Sequence, residues 1–190
     1  MSGNRRPSTV TPIAPALEVE DAQAVDWSDS ADVIVVGWGA AGACAAIEAR
    51  DAGASVRVID RFDGGGASAL SGGVVYAGGG TPYQRQAGFE DTPEAMADYL
   101  RYEVNGVVSE ATLQKFCDDS AANLAWLEAQ GARFAATMPD HKTSYPPDGK
   151  FLYYSGNEVV PACRGERGAP APRGHRTVAK GQSGKVLYAA

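Results

Sequence analysis

Two short runs of β-branched residues near the start of the chain flank an alanine-rich segment. Val33–Val36 has no polar break, which is the pattern of a strand buried on both faces, and Val56–Ile59 repeats it after residues 40–52. Alanine favours helix, and Gly53 is placed to end one. The order strand, helix, strand within about thirty residues predicts a βαβ unit with parallel strands.

Two amphipathic helices are predicted in the middle of the chain. The first has Thr92 as its N-cap and Pro93 as its first residue, and it ends before Gly106. The second begins at Ser109 and ends at Gly131. Its apolar stripe, which places Cys117 in the core, consists of Leu113, Phe116, Cys117, Leu124 and Leu127.

The last fifty residues have weaker patterns. A Pro147-Asp148-Gly149 turn between Tyr145 and the apolar residues 151–154 predicts a β-hairpin. Residues 161–184 are irregular and basic, which favours a solvated loop over a phosphate site. Its basic residues include Arg164, Arg167, Arg173, His175 and Arg176. Residues 185–190 are typical of the beginning of a helix.

Too few buried strands are predicted for a complete doubly wound sheet, so we expect an incomplete domain. Residues 1–24 mix Pro, Ser, Thr and acidic residues without periodicity and are expected to form a disordered tail. Residues 25–140 then form the main domain, and residues 141–190 begin a second, truncated region.

Composition narrows the class of protein. The 190 residues are 44% hydrophobic and 21% charged, as in a soluble globular protein, and the net charge of −6 argues against a nucleic-acid partner. The longest apolar stretch, residues 33–47, is shorter than the ~20 residues that span a bilayer, so no transmembrane segment is predicted.

Cysteine and histidine are too few for a disulfide framework or a metal site. Cys44, Cys117 and Cys163 are widely spaced and odd in number, which favours a reducing cytoplasm. With only His141 and His175 besides, no metal is expected.

The sequence Gly37-Trp38-Gly39-Ala40-Ala41-Gly42 joins the first predicted strand to its helix, where a GxGxxG motif binds a dinucleotide. Gly37 permits the tight turn, Gly39 lets the backbone approach a pyrophosphate, and Gly42 lets the helix lie close to the strand. The N–H groups at the helix start, including those of Ala40 and Ala41, then face the anion. Asp60 ends the second strand, where a carboxylate accepts ribose hydroxyls and repels a 2′-phosphate.

A second glycine-rich stretch, residues 64–84, carries no charge. Asp60-Arg61 followed by Gly64-Gly65-Gly66-Ala67-Ser68-Ala69-Leu70-Ser71-Gly72-Gly73 resembles the flavoprotein family of fumarate reductase, the succinate dehydrogenase flavin subunit and the 3-ketosteroid dehydrogenases. The resemblance implies an α/β fold, namely a Rossmann-like, GR2-type FAD-binding domain with a glycine-rich flavin loop, followed by the start of an inserted substrate or cap domain. It also implies that the cofactor is contacted by Arg61, Gly65, Gly66, Ala67, Ser68, Ser71, Gly72 and Gly73. Residues 61–86 contain no histidine for covalent attachment, so non-covalent FAD is expected.

Residues 71–76, 78–82, 88–91 and 169–175 resemble the steroid-acting branch, especially the bacterial dehydrogenases of the Δ4 bond of 5α-steroids. This implies an FAD-dependent oxidoreductase that acts on a carbon–carbon bond next to a ketone, with a small molecule, a steroid, as substrate and an unassigned electron acceptor. The family's catalytic tyrosines lie mostly in later sequence, so no catalytic residue is assigned here. Two alternatives stay open: a fumarate reductase-like enzyme for an unsaturated acid, and a truncated, non-catalytic FAD-binding module.

Overall fold

The computed structural model describes residue 15, residues 17–160 and residues 170–190. The strands in these ranges form two sheets. They are β1 (Val33–Val36), β2 (Val56–Ile59), β3 (Val74–Tyr76), β4 (Leu152–Tyr153) and β5 (Gly174–Arg176). β1 and β2 run parallel with Val33 opposite Val56, whereas β3, β5 and β4 form an antiparallel sheet with β5 in the middle.

Helices occupy much of the rest of the described chain. They are α1 (Ala40–Asp51), α2 (Gly66–Leu70), α3 (Pro82–Gln86), α4 (Pro93–Val104), α5 (Glu110–Ala129) and α6 (Gly184–Tyr188). The predicted βαβ unit is confirmed, because α1 joins β1 to β2 and Gly53 follows it with φ of +91°. No helix in the described ranges is long and apolar enough to cross a membrane.

The parallel sheet is covered on one face only, which corrects the expectation that β1 is buried on both. Val33 and Val35 are half-buried on the side of α1. On the opposite face, Ile34, Val36 and Ile59 are 60%, 83% and 55% exposed. Their exposure shows that, within the described residues, this face of the two-stranded sheet is largely uncovered.

The two amphipathic helices α4 and α5 are confirmed with their caps. The hydroxyl of Thr92 accepts from the N–H of Ala95, and Ser109 does the same for Thr112. The helices pack together, and Cys117 is fully buried between them, as predicted. Burial raises the pKa of its thiol to about 11. Phe116, expected on the same apolar stripe, is instead 40% exposed.

The predicted hairpin is wrong, because β4 pairs with β5 rather than with a neighbouring strand before the turn. The turn itself is present: Gly149 has φ of +86°, and the N–H of Lys150 donates to the carbonyl of Pro147. Since β5 also pairs with β3, residues 174–176 join strands that lie far apart in sequence. A five-residue helix, α6, confirms the helical start near the C-terminus.

The basic stretch is not a solvated loop where it is described, since Arg173, His175 and Arg176 are all fully buried. Arg173 forms a two-pronged ion pair with Asp91, at 3.0 and 2.7 Å, and both side chains are fully buried. The reason is that His175 and Arg176 belong to β5, the central strand of a sheet, and Arg173 lies directly before it. The described residues do not include Arg164, Arg167 and Cys163, nor residues 1–14 and 16 of the expected tail. Within that tail, Ala22–Ala24 form one turn of 3-10 helix.

His175 is buried in its neutral form. Its Nδ1–H donates to the carbonyl of Arg173 at 3.2 Å, and its Nε2 accepts from the hydroxyl of Thr81 at 2.9 Å. Removal from water lowers its pKa from 6.5 to about 4, because the protonated ring would lose solvation that the site does not replace.

This burial predicts an acid-sensitive fold. Below pH 6.5 the unfolded chain binds a proton that the folded chain does not bind until about pH 4, so stability falls as the pH is lowered through this window. We expect His175 to contribute a loss of about 3 kcal/mol between pH 7 and pH 4. Urea unfolding at several pH values, compared with His175→Gln, measures this contribution; equal pH slopes for the two proteins would contradict it.

Candidate functional site

The first glycine turn lies directly after β1. Gly37 has φ of +102°, in the region that favours glycine, and its N–H donates to the carbonyl of Ile59 at 2.7 Å. A Cβ on Gly42 would lie 1.9 Å from the carbonyl oxygen of Gly37, so α1 can approach the turn only because residue 42 has no side chain. A Cβ on Gly39 would meet nothing within 4 Å.

The N-terminus of α1 opens toward solvent at this turn. Gly39 is the N-cap and provides no side-chain cap, while Ala40 and Ala41 are exposed. The first N–H groups of a helix have no partner within the helix, and they carry a partial positive charge. Together with open space over Gly39, this donor set fits a pyrophosphate.

Asp60 lies beside the same turn at the end of β2. Its carboxylate accepts from the N–H groups of Trp38 at 2.6 Å and Phe62 at 2.8 Å. These bonds, with Trp38 foremost, lower the pKa of Asp60, so the side chain is ionised at neutral pH. A carboxylate has roughly four acceptor positions, so the two bonds leave room for the hydroxyls of a ribose.

The backbone of Trp38 joins the first turn to the second glycine-rich stretch. Its carbonyl accepts from the N–H of Gly65 at 2.6 Å and from the hydroxyl of Tyr188 at 3.1 Å. A Cβ on Gly66 would lie 3.4 Å from the Cα of Gly39, so the two glycine turns are in contact.

The second stretch contains the short helix α2, which the sequence did not indicate, and then the turn Ser71-Gly72-Gly73. The Ser71 hydroxyl donates to the carbonyl of Ser68 at 2.7 Å and accepts from the N–H of Gly73 at 3.1 Å. Gly65 and Gly73 are buried, because Tyr188 packs against Gly65 and Ser183 packs against Gly73.

The candidate cofactor residues therefore differ in their access to solvent. The exposed ones are Ala40, Ala41, Asp60, Arg61, Gly66, Ala67 and Ser71, and the half-buried ones are Gly37, Gly39, Gly42, Ser68 and Gly72. Arg61 lies over the ring of Phe62, with 4.7 Å between the guanidinium carbon and the ring centroid. Gly65 and Gly73 contact the protein's own chain and support the shape of the turns.

An apolar cavity of about 570 Å³ adjoins both turns. Ala40, Ala67 and Ser68 line its side nearest the turns, and Trp126 and Leu187 line the side formed by α5 and α6. The indole N–H of Trp126 donates to Glu48 on α1 at 2.6 Å and so links α5 to α1.

Several residues that shape the site were not among the cofactor residues expected from the sequence. They are Tyr145, Thr177, Ser183 and Tyr188, and each donates to a backbone carbonyl of one of the two glycine turns. The two residues of each contact are separated by between 73 and 150 positions in the sequence, so no local pattern could have indicated these contacts.

The chain is similar in sequence and fold to known proteins. The chain is 60% identical over 185 residues to a 3-oxo-5-alpha-steroid 4-dehydrogenase of Comamonas testosteroni, which covers 96% of this chain and 35% of that protein. The solved 3-ketosteroid-delta4-(5alpha)-dehydrogenase of Rhodococcus jostii RHA1, in complex with 4-androstene-3,17-dione, matches with a TM-score of 0.82 and 38% identity over 88% of this chain and 36% of that one.

A more distant match is the open conformation of a flavocytochrome c3 fumarate reductase, with a TM-score of 0.62 and 28% identity over 85% of this chain and 24% of that one. The chain thus spans about a third of the length of its steroid dehydrogenase relatives. The sequence model of the FAD binding domain matches residues 32–183, which include both glycine turns. This chain therefore belongs to the FAD binding domain family of flavoproteins related to the 3-ketosteroid dehydrogenases and fumarate reductase.

Proposed function

We propose that this chain is the FAD-binding part of an oxidoreductase that dehydrogenates or reduces a carbon–carbon bond next to the ketone of a 3-ketosteroid. The contact between Gly39 and Gly66 carries this proposal, because it brings an uncapped helix N-terminus, an ionised Asp60 and the second glycine turn to one surface. An extended dinucleotide needs these groups side by side.

Each residue has a distinct role in this proposal. The N–H groups of Gly39, Ala40, Ala41 and Gly42 bind the pyrophosphate, and Asp60 accepts the hydroxyls of the adenosine ribose. The second turn, from Gly65 to Gly73, and Arg61 would contact the flavin part of the cofactor. FAD, when bound, supplies the hydride chemistry, while the protein binds the cofactor non-covalently and orients it.

The substrate assignment depends on relatives. Two of them are a 3-oxo-5-alpha-steroid 4-dehydrogenase and an enzyme solved with 4-androstene-3,17-dione. We propose that the polarising and proton-transferring groups lie outside this third of the enzyme, that residues 25–140 belong to the FAD-binding domain, and that residues 141–190 lead toward a cap domain. The low cysteine content continues to favour a cytoplasmic enzyme.

Gly39→Ala tests the pyrophosphate site directly. Its methyl group meets nothing in the protein, and Gly39 has an ordinary φ of −94°. Alanine is a poorer N-cap than glycine but lowers the entropy of the unfolded chain, so stability should change by no more than about 1 kcal/mol. The methyl group would occupy the space of a phosphate held by charged hydrogen bonds, so we expect FAD to bind about tenfold or more weakly. The measurement is a fluorescence titration of the full chain with FAD.

The matched control is Ala45→Ser, which also adds one atom to α1, on an exposed position further from the turn. Equal FAD affinity of Gly39→Ala and the wild-type chain would refute the pyrophosphate site. Dye-linked oxidation of a 3-ketosteroid then separates the alternatives: bound FAD without turnover favours a non-catalytic module, and turnover of an unsaturated acid favours the reductase.

A further inference from the structure

The carbonyl groups of the second glycine turn are held by side chains from distant segments. The Gly72 carbonyl accepts from the hydroxyls of Tyr145 and Ser183, each at 2.9 Å. The Gly73 carbonyl accepts from the N–H and the hydroxyl of Thr177, at 2.9 and 3.0 Å. Both carbonyls therefore have fixed directions before any ligand binds.

Tyr145 also packs directly against the turn. A Cβ on Gly72 would lie 2.5 Å from Cε2 of the Tyr145 ring, so the ring occupies the position of a side chain. The same hydroxyl lies 3.0 Å from the carbonyl of Gly181 and is shared between the two acceptors. Tyr145 thus connects residue 72 with the segment that precedes α6.

Arg176 packs against the ring of Tyr145. Its guanidinium carbon lies 4.8 Å from the centroid of the Tyr145 ring, and the side chain is fully buried. Its N–H groups donate to four backbone carbonyls and one carboxylate, those of Pro146, Pro147, Ala179, Gly181 and Asp148. A buried cation with this many acceptors has little freedom to move, so the tyrosine ring is fixed as well.

The planar peptide group carries this constraint to the cofactor surface. Because a peptide is rigid, fixing the Gly72 carbonyl also fixes the N–H of Gly73, which points the opposite way. That N–H donates to the hydroxyl of Ser71, which in turn donates to the carbonyl of Ser68. The orientation of Ser71, which is exposed, therefore depends on Tyr145 and Ser183 through one peptide.

We infer that Tyr145, supported by Arg176, and Ser183 are positioning residues that hold the second glycine turn in the shape that binds the flavin. The inference rests on the proposed function, since it requires FAD to contact this turn. A turn held in its binding shape avoids the ordering penalty that a mobile turn would have on binding.

The test uses Tyr145→Phe and Ser183→Ala, each of which removes one donor to the same carbonyl. We expect each variant of the full chain to bind FAD roughly three- to tenfold more weakly, as for one lost hydrogen bond. The visible absorbance of the bound flavin should shift in both, because the groups around the ring relax. The double variant should lose more affinity than the product of the two single losses, since the carbonyl then loses both donors.

The control is Tyr83→Phe, which removes a hydroxyl that donates to Glu128 instead of to the turn. If the wild-type chain does not bind FAD, the proposed function itself fails. If it binds FAD, and the single and double variants match it in affinity and absorbance, the positioning inference is wrong and the proposed function stands. An equal loss in Tyr83→Phe also overturns the inference, and if Tyr145→Phe does not fold, Ser183→Ala decides.

Discussion

Replacing Arg173 by methionine should lower the free energy of unfolding by about 3–5 kcal/mol, because it leaves a buried carboxylate without its cation. Asp91 would keep only the backbone N–H of Gly79 and the side-chain amide of Gln84 as donors, at 3.0 and 2.9 Å, in a place that water does not reach. The loss is measured by urea unfolding of the full chain at pH 7.

The matched control is Lys115→Met, which breaks an ion pair with Asp119 of the same 2.7 Å length as the shorter Arg173–Asp91 contact, but on the surface. Exposed pairs contribute about 0–1 kcal/mol, so this variant should be nearly as stable as the wild-type chain. If the two variants lose the same stability, burial does not control the strength of the Arg173 pair. Replacing Arg173 and Asp91 together by apolar residues should recover only part of the loss, because the partly buried N–H of Gly79 then loses its acceptor.

Replacing Gly42 by alanine should impair both folding and FAD binding. The new Cβ would lie 1.9 Å from the carbonyl oxygen of Gly37, a contact that only a shift of the turn or of α1 can relieve. Alanine favours helix over glycine by about 1 kcal/mol, but overpacking against backbone typically costs about 1–3 kcal/mol, so we expect a net loss of stability. Because the shift displaces the N–H groups at the start of α1, FAD affinity should fall by about a hundredfold or more.

Gly39→Ala is the natural comparison for this variant, since it adds the same methyl group three residues earlier without a clash in the protein. Gly42→Ala should lower the melting temperature and the affinity together, whereas Gly39→Ala should lower mainly the affinity, with at most a small change in melting temperature. Thermal unfolding without FAD and fluorescence titration with FAD separate the two patterns. An unchanged melting temperature for Gly42→Ala would show that the close approach of α1 is not required.

The βαβ unit and the two long helices could be predicted because their determinants are local. A β-branched run, an N-cap followed by proline and a glycine after a helix each act within a few residues, and the bounds of β1, α4 and α5 followed from them. The glycine pattern around Gly37 likewise indicated a turn that the structure places directly before α1.

The second sheet could not be predicted, because its pairings depend on residues that are far apart. β5 reads as a basic loop when only its neighbours are considered, and the charge of Arg173 is balanced by Asp91, which lies 82 residues earlier. The same holds for β4, whose partner is not the nearest strand-forming segment. Local patterns report propensity, whereas these positions are decided by burial and pairing in the folded chain.

The contacts that support the glycine turns bear on when these turns become ordered during synthesis. Ser183 reaches back 111 residues to Gly72, and Tyr188 reaches back 150 residues to Trp38. Contacts of such long range form late, because the intervening chain must first be synthesised and its loop closed. If the second glycine turn binds FAD as proposed, a nascent chain that ends before residue 183 has the first glycine turn but lacks the contacts of Ser183 and Tyr188, so we expect it to bind FAD more weakly than a chain that includes them.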